Sequence, residues 1–215
     1  MAYTRDRQPL SDTELDRTAA STLSHYESRV EAFWQGTKDH DVSQNIDALL
    51  RHLPQDRPLH VLDFGCGPGR DLLDYQRRGH LPVGLDGSEG FCVMARERAG
   101  VEVWHQDFLH LDLPANRFDG VFANASMFHI PGQELPRVLQ ELRATLVSGG
   151  VLFASNPRGE DIEGFNDLRY GTYLSWETWR ELVTDAGFTE LEHYYRPPGR
   201  PRSEQPWLAS LWMRT

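Results

Sequence analysis

Leu59-His60-Val61-Leu62-Asp63-Phe64-Gly65-Cys66-Gly67-Pro68-Gly69-Arg70 is the stretch on which the fold turns. A short apolar run leads into an acidic residue and three alternating glycines, and Leu72, Leu73 and Tyr75 follow at helical spacing. The pattern reads as strand, tight loop, helix. Outward from it the alternation repeats. Strands are expected at Leu81 to Asp86, Val101 to His105, Phe118 to Ala123 and Val151 to Ser155, and helices at Gly90 to Ala99, Glu134 to Leu146 and Trp176 to Ala186. Alternation of this kind predicts an α/β fold, a mostly parallel sheet with helices on both faces. Glu190 to Tyr195 and Trp207 to Met213 have no helix between them, and read as a terminal antiparallel pair.

Upstream, Leu10 to about Leu53 is polar and helical in pattern. Leu23, Tyr26, Val30, Phe33 and Trp34 recur at intervals of three or four and predict an amphipathic helix, either packed core or a lid over the site. After the loop Gly36 to His40, Asp41 with Gln44 three residues on resembles a capping box opening a second helix through Ile46, Leu49, Leu50 and Leu53. No repeat or long linker interrupts the chain. At 215 residues it is expected to form one domain, with a helical extension over 1–57, a ligand-binding half over 58–155 and a second half over 156–215 that ends in the hairpin.

Composition bounds the function. The formal net charge of −10 disfavours partners rich in phosphate, so neither nucleic acid nor membrane is expected. Only Lys38 is lysine; arginine supplies every other basic side chain, and its planar fork suits carboxylates. The polar N-terminus lacks a signal segment, and two cysteines, Cys66 and Cys92, form no disulfide framework, which together point to the cytoplasm. Neither they nor the histidines show metal-ligand spacing.

In an open α/β sheet the ligand sits beyond the carboxyl ends of the strands, where glycines let the backbone approach it. Gly65, Gly67 and Gly69 fit that place, and tight turns alone also need glycine. Asp86 ends the second strand, where a carboxylate accepts both hydroxyls of a ribose. Asp107 and Phe108, at the end of the third strand, offer a carboxylate for an exocyclic amine and a ring for a base; a capping Asp and a core Phe are the plain alternatives. A dinucleotide fold holds pyrophosphate with G-x-G-x-x-G. Here the spacing is D-x-G-x-G-x-G, and Asp63 repels pyrophosphate but attracts an amine.

With Asp63, Gly65, Gly67, Gly69, Asp86, Asp107 and the strand end Asn124-Ala125-Ser126, residues 59–155 resemble the class I S-adenosylmethionine-dependent methyltransferases. The resemblance implies a Rossmann-like, seven-stranded sheet whose last strand is antiparallel, with S-adenosylmethionine as cofactor and S-adenosylhomocysteine as its product. It implies that the loop holds the methionine moiety, Asp86 the ribose and Asp107 the adenine, with Phe108, Ser88, Asn124 and Ala125 beside them. Arg70 is then placed to reach the methionine carboxylate, and Tyr26 to cover the cofactor from the lid. A closer resemblance joins Gly36 to Ser43, Phe122 to His129, Ser155 to Gly159, Arg169 to Gly171, His193 to Gly199 and Gln205 to Ser210. These segments look like the methyltransferase domain of ovothiol biosynthesis, which implies methylation of the π nitrogen of 5-thiohistidine to give ovothiol A. That domain is usually fused behind a sulfoxide synthase; here a stand-alone chain is expected, receiving 5-thiohistidine made elsewhere.

Methyl transfer needs positioning and exclusion of water more than an acid or a base, so no catalytic acid–base residue is expected. The amino-acid end of the acceptor calls for an arginine fork from Arg158, Arg169 or Arg196 and a polar partner such as Asn156. Phe128, Tyr170 and Tyr195 are candidate walls, and strand alternation places Tyr194 and Tyr195 on opposite faces, with Tyr195 expected inward. His129 is expected to be structural. Competing readings are methylation of another small metabolite, a cofactor-binding protein without turnover, and a dehydrogenase.

Overall fold

The computed structural model describes residues 8–215; the beginning of the polar N-terminus lies outside the described residues. Three helices, α1 (Asp12–Glu27), α2 (Val30–Thr37) and α3 (Ser43–Leu50), precede β1 (His60–Phe64). Then follow α4 (Arg70–Arg77), β2 (Leu81–Asp86), α5 (Glu89–Ala99), β3 (Val103–His105), β4 (Phe118–Asn124), α6 (Leu135–Thr145) and β5 (Leu146–Pro157). The chain closes with β6 (Ile162–Asn166), β7 (Arg169–Tyr173), α7 (Trp176–Asp185), β8 (Phe188–Arg196) and β9 (Trp207–Arg214). Seven strands form one sheet in the order β3-β2-β1-β4-β5-β9-β8. The first five run parallel, and β9 pairs antiparallel with both β5 and β8. The order reverses between β1 and β4, and that switch point opens a crevice at the strand ends.

Period-two alternation decides which side chains meet which helices. Leu62, Val121 and Leu152 face Val138, Leu142, Trp179 and Val183 of α6 and α7. Val61, Phe122 and Phe153 face the opposite way, onto Ile46 and Leu49 of α3 and Tyr75 of α4. The N-terminal helices therefore divide: α3 is core packed on the sheet, whereas α1 and α2 lie over the strand ends.

The capping signals also redistribute. Asp41 accepts the Ser43 N–H at 2.9 Å, a local turn, and the N-cap of α3 is Val42 without a side-chain cap. The reciprocal cap lies at α1, where the Ser11 N–H donates to Glu14 at 2.8 Å. The two-stranded β6–β7 sheet was not expected. Gly164 pairs with Gly171, so two positions lack the side chains by which a strand is recognised. Among the described residues no helix is long and apolar enough to cross a membrane.

The second half rests on one hydroxyl. Ser210, fully buried on β9, accepts the indole N–H groups of Trp179 and Trp212, each at 2.9 Å. Ser210→Ala strands two buried donors, and urea unfolding should show a loss of roughly 2–4 kcal/mol; a change within error contradicts this role.

Candidate active site

A cleft of about 860 Å³ runs along the carboxyl ends of the strands. One wall is the glycine loop. Gly65 and Gly67 hold φ of 83° and 51°, in the left-handed region that glycine enters without strain. A Cβ on Gly65 would stand 2.4 Å from the Cβ of Ser126, so only glycine lets the loop pass the end of β4. Gly69 serves a different purpose. Its missing side chain lets α4 approach α5, since a Cβ there would lie 2.9 Å from the Ala95 Cα, and it stays off the cleft wall.

Asp86 stands at the cleft margin and binds the loop from behind. Its Oδ2 accepts the Gly67 N–H and its Oδ1 the Ser88 N–H, both at 2.9 Å. The Gly87 N–H also acts on this carboxylate, which keeps acceptor capacity toward the cleft. Burial pushes this carboxyl up to about 6, although the backbone donors of Ser88 and Gly67 pull against it. Asp63 sits below the loop, 2% exposed, with Oδ2 unpartnered among the described residues. Burial first, and the charge of Asp71 second, raise it well above the ordinary carboxyl range.

Phe108 stacks on Phe64 with centroids 4.3 Å apart, which fixes the ring where the cleft reaches β3. Asp107 lines the same end, one oxygen accepting the Leu109 N–H at 2.9 Å. Asn124 and Ala125 line the floor at the end of β4, and the left-handed Ala125, φ 62°, turns the chain there.

Above lies a roof of rings. Tyr26 of α1 and Phe33 of α2 meet edge to face at 5.6 Å, and both reach Phe91 of α5. Glu27 fastens α1 to the start of α5, accepting the Ser88 hydroxyl at 2.6 Å and the Gly90 N–H at 3.1 Å. Gly87 leaves no space for a side chain, since a Cβ would come within 2.5 Å of Leu23. The far wall carries Phe128, His129, Arg169 and Arg196.

Several expected groups are committed elsewhere. Ser88 is buried as the N-cap of α5 and spends its hydroxyl on Glu27 and the Phe91 N–H. Arg70 faces the cleft, yet its guanidinium pairs with Asp71 at 2.6 Å and donates to the Thr37 carbonyl at 3.0 Å. Asn156 and Arg158 line a separate cavity of about 20 Å³ with no room for an acceptor. Arg158 donates to the carbonyls of Gln205 and Arg202, because the bend after β5 points it toward the segment leading into β9. Tyr195 lies outside the cleft, its ring covered by the Arg202 guanidinium. The strand alternation runs opposite to expectation, and Tyr194 donates toward the cleft side, to Asn45 at 3.0 Å. Tyr170 is buried behind the wall and contributes its backbone, the N–H to Thr22 and the carbonyl to His129.

Two groups were passed over. Asn45, 1% exposed, accepts from Tyr194 and Arg196 and donates to Asn124 at 3.0 Å, linking α3, β4 and β8. A polar residue within an apolar helical pattern was the only sequence signal. His129, expected as structural, lines the cleft and bonds Tyr26 at 2.7 Å.

The sheet order, the glycine loop and the strand-end carboxylates define the fold of the class I methyltransferases, whose cofactor is S-adenosylmethionine. The groups present fit that cofactor: the cradle that a Cβ on Gly65 would fill, the Asp86 carboxylate at the cleft margin, and Asp107 beside the Phe108 ring. Residues 61–150 match the family model of the methyltransferase domain, and the chain has the fold of the class I methyltransferases. Trans-aconitate 2-methyltransferase of Paracidovorax citrulli is 30% identical over 146 residues, 64% of this chain and 53% of that protein. The same enzyme of an Azoarcus species is 37% identical over 117 residues, 53% of this chain and 45% of that protein. The chain thus spans about half the length of these relatives. In fold it is similar to Burkholderia thailandensis 1,6-didemethyltoxoflavin-N1-methyltransferase, solved with 1,6-didemethyltoxoflavin and S-adenosylhomocysteine. The TM-score is 0.78 at 23% identity, covering 97% of this chain and 93% of that one.

An ionised Asp86 can accept from both hydroxyls of a ribose and a protonated one from fewer, so protonation opposes binding of such a ligand. Affinity for S-adenosylhomocysteine should be full above about pH 7 and fall toward tenfold per unit below about pH 6. Asp86→Asn should bind more weakly and lose that step. Calorimetric titration across pH checks both, and a parent profile that stays flat contradicts the assignment.

Proposed function

We propose that this chain is a single-domain, cytoplasmic methyltransferase that transfers the methyl group of S-adenosylmethionine to a small amino-acid-like acceptor, and that the acceptor is 5-thiohistidine, methylated at its π nitrogen to give ovothiol A. The observation that carries the methyltransferase part is the convergence of Asp63, the Gly65-Gly67 loop, Asp86 and Asp107 at the carboxyl edge of one sheet. In the segments around Phe128, Arg169 and Arg196 the sequence resemblance to the ovothiol domain coincides with the far wall of the cleft.

S-adenosylmethionine supplies an activated methyl group on a sulfonium. The chain holds and encloses it. Asp86 takes the ribose and Asp107 the adenine edge, Phe108 presents its ring, and the Gly65-Gly67 loop passes beside the amino-acid end. Tyr26, Phe33 and Phe91 form an apolar cover that excludes water, and fixed walls supply the near-attack alignment on which a displacement depends. A cleft of about 860 Å³ has space for the cofactor and a small acceptor together. Burial keeps the Cys66 thiol protonated, so it is no nucleophile.

A second reading has one specific support: the matched relatives are trans-aconitate 2-methyltransferases, and arginines on the far wall also suit a small polycarboxylate. Turnover with S-adenosylmethionine and each acceptor, followed by mass spectrometry, separates the two. The proposal expects 5-thiohistidine to gain one methyl group on nitrogen and trans-aconitate to remain unchanged. Methylation of trans-aconitate alone transfers the assignment to the second reading, and methylation of neither overturns both acceptors.

A further inference from the structure

His129 is held on both ring nitrogens. Its Nδ1 lies 2.7 Å from the Tyr170 carbonyl, which only accepts, so Nδ1 carries the hydrogen. Burial pushes the imidazole down to about 4, which keeps it neutral, and the neutral ring has its acceptor at Nε2. The Tyr26 hydroxyl, 2.7 Å from Nε2, must therefore donate to it. That leaves the Tyr26 oxygen able to accept, and the Arg169 guanidinium stands close enough for its charge to act on the phenol. The result is one directed chain, Tyr26 to His129 and His129 to the Tyr170 carbonyl, with Arg169 beside its head.

Every member of the chain has its donor matched, and the group beside its head does not. Arg169 lines the cleft, and its Nε is buried without a hydrogen-bond partner among the described residues. A buried guanidinium N–H left unmatched is costly, and a carboxylate oxygen is the partner whose geometry the fork fits. Its neighbours make the direction specific. Thr22 of α1 accepts the Tyr170 N–H at 2.9 Å and Ser21 donates to the Leu168 carbonyl at 2.8 Å, so α1 and the β6–β7 turn move as one support beneath Arg169.

We propose that Arg169 is the carboxylate-binding residue of the cleft, aimed by Tyr26 and His129, and that the carboxylate it takes is that of an amino-acid moiety. This deepens the methyltransferase reading and rests on it. Two ligands of that reading bring such a group: the methionine end of the cofactor and the acceptor. His129 is a positioning residue that acts through Tyr26.

The test titrates the parent and Arg169→Gln with matched pairs. S-adenosylhomocysteine is paired with 5′-methylthioadenosine, which lacks the amino-acid end, and 5-thiohistidine with its decarboxylated amine; trans-aconitate serves as a further carboxylate probe. Arg169→Gln should weaken at least one carboxylate probe by about 10–100-fold and leave its carboxylate-free counterpart within about threefold. Loss on S-adenosylhomocysteine assigns the site to the cofactor, and loss on an acceptor probe assigns it to the acceptor. Tyr26→Phe and His129→Gln should show a smaller loss on the same probe alone, which a merely structural role would not confine. Arg169→Lys, which keeps the charge without the fork, gives an intermediate affinity and substitutes should the glutamine variant fail to fold. Equal affinities of parent and variant for every carboxylate probe, or equal loss on the carboxylate-free partners, overturn the proposal. Intact S-adenosylhomocysteine binding beside that result leaves the methyltransferase reading standing, whereas absence of such binding in the parent removes the reading itself.

Discussion

The Asp86 carboxylate holds two backbones at once, that of Gly67 in the loop after β1 and that of Ser88 at the start of α5. The rest of the site depends on this tie. The loop can approach the end of β4 only because Gly65 has no side chain, and it stays there because Gly67 is anchored from behind. One group thus sets the geometry of the cradle, and burial raises its affinity for a proton.

Closure is built onto the same place. Glu27 seats α1 on the N-terminal turn of α5, where unpaired N–H groups and the helix dipole favour a carboxylate. Leu23 lies against Gly87, and Arg70 reaches up to the carbonyl of Thr37 at the end of α2. The roof is therefore tied to the glycine loop on one side and to α5 on the other.

The sheet was legible because its signals are local. Apolar runs of strand length, the glycine loop and the helix periods between them led to a mostly parallel sheet, and the terminal antiparallel pair followed from the absence of a helix between β8 and β9. One wall of the cleft was legible for the same reason, since Gly65, Gly67, Asp86 and Asp107 sit at strand ends whose position is implied by the strand itself. The far wall was not. Arg158 and Tyr195 have the right chemistry, but the path of the Pro197 to Pro206 segment turns one toward backbone carbonyls and covers the other. Asn45 and His129 owe their places to partners 149 and 103 residues away, Tyr194 and Tyr26, a separation to which no local pattern responds. The β6–β7 pair was invisible because glycine faces glycine across it.

A crystal structure of the chain with S-adenosylhomocysteine tests the central claim most directly. The account predicts both ribose hydroxyls on the carboxylate of Asp86, the adenine between Phe108 and Asp107, and the amino-acid end over the Gly65-Gly67 loop beneath Tyr26. Ligand bound with its ribose away from Asp86, or outside the cleft between the glycine loop and α1, would contradict it.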